Sequence, residues 1–131
     1  MVAGYLQEFN SPITDGTTLT LVDAVDESNV HLILGPSPSI QHIWPDIFNI
    51  IENSNYEGYA IYRTNSSNYI FSGRIWVDST RKNIFIHELG HILGLGHTSS
   101  LYCNIETSSF MCSATPAFEF NTFDIEIIKA L

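Results

Sequence analysis

Basic residues are scarce in this chain of 131: five Lys and Arg stand against fourteen Asp and Glu, a net charge of −9. Phosphate groups are held by Lys and Arg, so nucleic acid is excluded as a partner, and anionic membrane surfaces are disfavoured on the same ground. Long apolar runs are missing as well. None approaches the roughly 18 residues of a membrane-spanning helix, so no span is expected. The first ten residues, MVAGYLQEFN, lack the basic start and apolar stretch of a signal peptide. Cysteine is limited to Cys103 and Cys112, both in one irregular stretch. Two cysteines confined to one loop favour a bridge over a pair of reduced thiols. A bridge would contribute about 2–3 kcal/mol and imply an oxidising compartment, hence a secreted or extracytoplasmic protein. No internal repeat, low-complexity tract or linker divides the sequence, and residues 1–131 read as one domain.

What is present suits a packed core. Apolar residues make up 44%, with eight Phe and six Tyr. Residues 2–9 read as a short helix ended by Asn10, Ser11 and Pro12. Residues 17–22 (TTLTLV) alternate and read as a strand. Residues 30–34 (VHLIL) are almost wholly apolar and read as a central strand. Residues 39–51 have helical spacing broken by Pro45, so two short helical pieces are expected. Strands follow at 58–63 and 69–78, the second broken at Gly73. A helix over 81–93, capped by Ser79 or Thr80, comes next. The last helix covers 120–131, with Thr122 as N-cap and Asp124 and Glu126 near its positive end.

The stretch with chemistry in it is HELGHILGLGH, residues 87–97. His87 and His91 are four apart, so on a helix both imidazoles leave one face about a turn apart. That pairing offers two nitrogens to one zinc ion. Glu88, about 100° round the helix, can reach a water on the metal without being a ligand. His97 lies about 15 Å further along a straight helix than His87, so the chain must stop and turn back. Gly94 stands where the stop is needed and supplies the positive φ of a helix end. Three neutral imidazoles leave one tetrahedral position open, as in catalytic zinc sites. The helix is otherwise apolar, and buried imidazoles and a buried carboxylate need partners that a metal provides. His31 and His42 have no ligand-spaced partner and read as structural. Asp23, Asp26 and Glu27 lack the spaced oxygen ligands of a calcium loop and read as a turn.

His87, Glu88, His91, Gly94 and His97 match every fixed position of the metzincin signature, and residues from about 58 onward resemble that clan of zinc metallopeptidases. The resemblance implies an α+β, sandwich-like fold: a twisted sheet with an active-site helix and a C-terminal helix. It implies a methionine turn beneath the metal, for which Met111 is the candidate, as an apolar floor and not a ligand. A Cys103–Cys112 bridge would brace that turn. It implies an endopeptidase using one zinc ion, a water activated by Glu88, and a peptide or protein substrate lying along an edge strand at 58–63. Among metzincins, GLGHTSS and FNTFDIEIIKAL look most like matrixins. The clan normally begins with a strand and a long helix, so residues 1–131 are expected to be a catalytic domain truncated or reduced at its front. The missing strand would leave an exposed sheet edge that invites pairing, with oligomeric state left open.

Two positions depart from the clan. Ser113 stands two residues after Met111, where some metzincins carry a helper tyrosine, and Thr98 does not match the residue that labels the larger subfamilies. The absent tyrosine and the reduced front sustain an alternative, a zinc- and peptide-binding module that cleaves weakly or not at all. A closed structural site with Cys103 or Cys112 as fourth ligand is a further rival. The presence of Glu88 favours catalysis, since a pure binder needs no base.

Overall fold

A computed structural model of the chain describes residues 2–11, 19–20, 22, 28–99, 103, 108–113, 116–117 and 120–130. The fold is α+β, a three-stranded mixed sheet packed between helices. In chain order the elements are α1 (Val2–Asn10), β1 (Val30–Leu34), a 3₁₀ turn (Ser37–Ile40), α2 (Pro45–Ile51), β2 (Gly58–Thr64), β3 (Ile70–Val77), α3 (Lys82–Ile92) and α4 (Thr122–Lys129).

The sheet order is β1-β3-β2. β1 runs parallel to β3, from Val30 opposite Gly73 to Leu34 opposite Val77. β2 runs antiparallel, from Gly58 opposite Val77 to Tyr62 opposite Gly73, with a bulge between Arg63 and Thr64. Among the described residues the expected central place of residues 30–34 is therefore not seen. β3 is central, with Ile75, Trp76 and Val77 buried, and among the described residues β1 is an edge whose five residues are all half-buried. Its continuous apolarity has another cause. Val30, Leu32 and Leu34 pack on the main core, while Ile33 packs on a second core across the sheet. Burial on both faces marks a strand between two layers, not its rank within the sheet. β3 is also unbroken at Gly73. A side chain there would collide with Ile92 of α3, so the glycine allows close helix–sheet approach.

The main core lies between the sheet and α1, α3 and α4, and includes Phe9, Ile75, Phe85, Leu89, Phe110 and Ile128. The second core joins Ile40, Trp44, Ile47 and Ile51 to Trp76. The two helical pieces expected around Pro45 are present, with Pro45 at the first turn of α2. Arg74 holds Asp46 by two bonds of 3.0 and 2.6 Å and lies 5.6 Å from the Trp44 ring centre. Of the expected strand 17–22, Thr17, Thr18 and Leu21 lie outside the described residues, and Leu19, Thr20 and Val22 belong to no regular element. The Asn10 amide instead pairs with both backbone groups of Leu19, at 2.7 and 2.9 Å.

Two caps differ from expectation. α3 begins after Arg81 with no side-chain cap, so neither Ser79 nor Thr80 serves. α1 anchors that end instead: Lys82 bonds Glu8 at 2.7 Å and the Tyr5 hydroxyl donates to the Thr80 carbonyl at 3.0 Å. The N-cap of α4 is Asn121, not Thr122. Its side chain accepts from Asp124 N–H at 2.7 Å, and Asp124 accepts from Asn121 N–H at 3.1 Å, a reciprocal capping box.

Candidate metal centre

α3 is buried along nearly its whole length, which seats its polar residues against specific neighbours rather than water. The helix stops at Ile92. Gly94 adopts φ 93°, and its N–H reaches the His91 carbonyl at 2.9 Å. The chain then reverses and brings His97 back to the helix, as the spacing requires.

The three side chains converge. His91 Nε2 lies 3.2 Å from His87 Nε2 and 3.1 Å from His97 Nε2. His87 Nδ1 donates to the Phe110 carbonyl at 2.9 Å, and His91 Nδ1 donates to the Leu95 carbonyl at 2.8 Å. A carbonyl can only accept, so each Nδ1 carries the proton and each neutral ring turns a bare Nε2 lone pair inward. Facing lone pairs repel unless a cation lies between them. Two ligands about 2.0–2.1 Å from a tetrahedral zinc stand about 3.3 Å apart, close to the spacing seen here. The residues therefore fit a metal ion. Burial, opposed by the Phe110 carbonyl, holds His87 down to a pKa of about 4; burial likewise lowers that of His91. Both shifts favour the neutral, metal-binding form.

Glu88 is 8% exposed and close against β2. A Cβ built on Gly58 would stand 3.0 Å from both Glu88 Cγ and Oε1, so the missing side chain is the space the carboxylate uses. Burial raises its pKa to about 7. A divalent cation nearby acts in the opposite sense. Glu88 and the three histidines line one side of a cleft of about 550 Å³. Gly58, Tyr59, Ala60 and Tyr62 of the edge strand β2 line it too, with Tyr56 just before the strand and with Ser113 and Pro116.

Met111 is buried against Gly90 on the inner side of α3, where a glycine side chain would strike its sulfur. Its carbonyl accepts from Thr98 N–H at 2.9 Å, which ties the segment after His97 to this turn. Cys103 and Cys112 form a disulfide. A disulfide sulfur is no thiolate, so neither cysteine supplies a fourth ligand and the closed-site rival falls. His31 and His42 are not brought to the triad, which is the group among the described residues placed to hold a metal. Asp23, Asp26 and Glu27 lie outside the described residues.

Sequence reasoning missed three residues here. Asp124 is fully buried and accepts from Ser109 Oγ at 2.6 Å, Phe110 N–H at 3.1 Å and Asn121 N–H. It thus holds the amide of Phe110 directly and, through Ser109, whose hydroxyl oxygen accepts from Met111 N–H at 3.0 Å, the next peptide, whose carbonyl holds His87. Its signal is an acidic residue three after an Asn before an apolar run, the pattern of a capping box and not only of a charge near a helix dipole. Asn83 sits one turn before His87 on the same face and donates to the Pro116 carbonyl at 3.1 Å, tying the cleft wall to α3. Gly58 looked like a strand start and carried no sign of the carboxylate it makes room for.

Three inward-facing imidazoles beside a buried carboxylate, in a cleft along a sheet edge, define a metal-dependent hydrolase. The chain belongs to the peptidase M66 family, whose family model matches residues 17–111, roughly three quarters of its length and the whole histidine motif. It is a metallopeptidase, with a metal ion and a protein substrate implied. No curated protein and no solved structure matches it. No helix among the described residues is long and apolar enough to cross a membrane.

Proposed function

We propose that residues 1–131 form a zinc endopeptidase domain of metzincin type, with His87, His91 and His97 as zinc ligands, Glu88 as general base and Met111 as the apolar floor. The observation that carries this is the convergence of the three Nε2 atoms, with Nδ1 of His87 and His91 committed to backbone carbonyls and Glu88 buried at their side. When bound, zinc lowers the pKa of a coordinated water from about 15.7 to about 7 and polarises the scissile carbonyl. Glu88 takes a proton from the attacking water at a carboxylate oxygen and holds it in a buried setting. It then delivers that proton to the nitrogen of the departing amine. The edge of β2 receives the substrate as an added strand, its free backbone groups pairing with the peptide. Backbone pairing orients any sequence; side-chain contacts select among sequences. The Cys103–Cys112 bridge supports an extracytoplasmic setting.

One observation favours the binding-module reading. Ser113, a short side chain, lines the cleft where a helper tyrosine would stand. Protein loaded with zinc and incubated with a mixed peptide library separates the two. The proposed function expects about one zinc per chain, cleavage, and a rate loss of about 10²–10⁴-fold in Glu88→Gln with zinc retained. Equal cleavage by parent and Glu88→Gln refutes the mechanism. Full zinc loading without cleavage by the parent establishes the binding module instead.

A further inference from the structure

The face of β2 turned towards α3 carries three residues in succession, Gly58, Ala60 and Tyr62, because alternate side chains share a face. They are graded in size. Gly58 has its space filled by Ile84 and Glu88. Ala60 packs on the main core. Tyr62 is the first large side chain, and it is 46% exposed while lining the cleft. Two features leave its ring uncovered. Its cross-strand partner is Gly73, which has no side chain to lay against it, and α3 ends at Ile92, the residue that fills the space over Gly73. An aromatic ring left bare beside the site, on the strand that would receive a substrate, is a contact surface.

We propose that Tyr62 is a specificity-determining residue that selects a large apolar or aromatic side chain on the N-terminal side of the scissile bond. This rests on the peptidase reading above. An extended peptide adding to β2 makes its stronger ladder antiparallel. β2 enters the site at Gly58, beside Glu88, and leaves towards Tyr62. An antiparallel peptide therefore lays its N-terminal part beside Tyr62. Counting one residue per residue, the side chain meeting the ring is about four positions before the cut. Directly opposite side chains share a face in an antiparallel pair, so this side chain meets the ring and not the far side of the sheet. On this face of the strand, residues nearer the cut meet Gly58 and Ala60, which have little or no side chain; the other aromatics of the cleft, Tyr56 and Tyr59, lie at its Gly58 end.

The experiment compares zinc-loaded parent, Tyr62→Ala and Tyr62→Phe on peptides that vary one position at a time on both sides of a cut site. The readout is the ratio of kcat/KM for a Leu or Phe peptide to that for its Gly counterpart. The parent should show a ratio of about threefold to tenfold at one position N-terminal to the cut. Tyr62→Ala should bring that ratio towards one, and Tyr62→Phe should keep it. An unchanged ratio in Tyr62→Ala overturns the proposal, as does a change confined to positions after the cut. Loss of the ratio in Tyr62→Phe also overturns it, since the hydroxyl would then carry the preference. If the parent cleaves no peptide, the peptidase reading fails, a result distinct from a parent that cleaves without this preference.

Discussion

Replacing Gly58 by Ala tests the seating of the proposed base without touching any histidine. The new Cβ would lie 2.8 Å from Ile84 Cγ2 and 3.0 Å from both Glu88 Cγ and Oε1. Carbon atoms rest about 3.5–4.0 Å apart, so Ile84 must give by roughly 0.7–1.2 Å and Glu88 by roughly 0.5–1 Å. Both line the cleft, but Ile84 Cγ2 is a branch packed into the core while Glu88 Oε1 is the far end of a flexible side chain, so Glu88 moves more easily. A misplacement of about 1 Å in a reacting group can cost about 10²-fold in rate. The backbone should not object: Gly58 is in a strand, without positive φ, where alanine stabilises by about 0.4–1 kcal/mol through the unfolded chain. That gain offsets part of the crowding. Gly58→Ala should therefore keep zinc stoichiometry and a melting temperature near the parent's, while kcat falls about 10- to 100-fold and KM changes little. Zinc analysis, thermal unfolding and steady-state kinetics on one peptide give the answer. A parental kcat in a folded, zinc-loaded variant would refute the seating. A drop in melting temperature large enough to account for the lost activity would refute it too.

Asp124→Asn should destabilise the protein by about 1–3 kcal/mol and weaken zinc binding about tenfold or more, read by urea unfolding and by chelator competition; parental affinity would remove its role behind His87. Arg74, bonded to Asp46, holds that carboxyl down to a pKa of about 2. A depressed carboxyl stabilises above its unfolded pKa and loses its effect as pH falls through the folded one. The gap in stability between parent and Asp46→Asn should thus be constant above about pH 4.5 and close towards pH 2. With Asp46 56% exposed it should stay under about 1 kcal/mol. A gap that persists unchanged at pH 2 contradicts the pairing. Converting Cys103 and Cys112 to serine should cost roughly 2–3 kcal/mol by loop closure, and reduction of the parent should add about 2 Da to its mass; a parent with no mass change has no bridge.

The features legible in the sequence were those fixed by local spacing. The helix bearing His87 and His91 ends within a residue of expectation, and Gly94 turns the chain where the third histidine demanded it. β2 and β3 were found because their β-branched and aromatic runs are bounded by turn residues. What could not be read depends on distant contacts. The rank of β1 in the sheet is set by which strands pair, and its apolarity says only that both faces are covered. The start of α3 is held by α1, more than seventy residues earlier, and a local capping pattern at Ser79 or Thr80 carries no trace of that contact. Asp124 is an ordinary capping residue by local pattern; its hold on Phe110 exists only after the chain has closed on itself.

That closure sets an order of events. His87 is oriented by a carbonyl 23 residues later, and the turn that presents it is held by Asp124, a further 14 residues on, directly at Phe110 N–H and through Ser109. Domains emerge from the ribosome N-terminus first. The histidines thus reach solution well before the residues that hold them, on a helix too short to persist alone. A chain interrupted just short of α4 would keep every residue of the motif and lack the carboxylate behind Phe110, so it is expected to hold a metal more weakly than the whole domain.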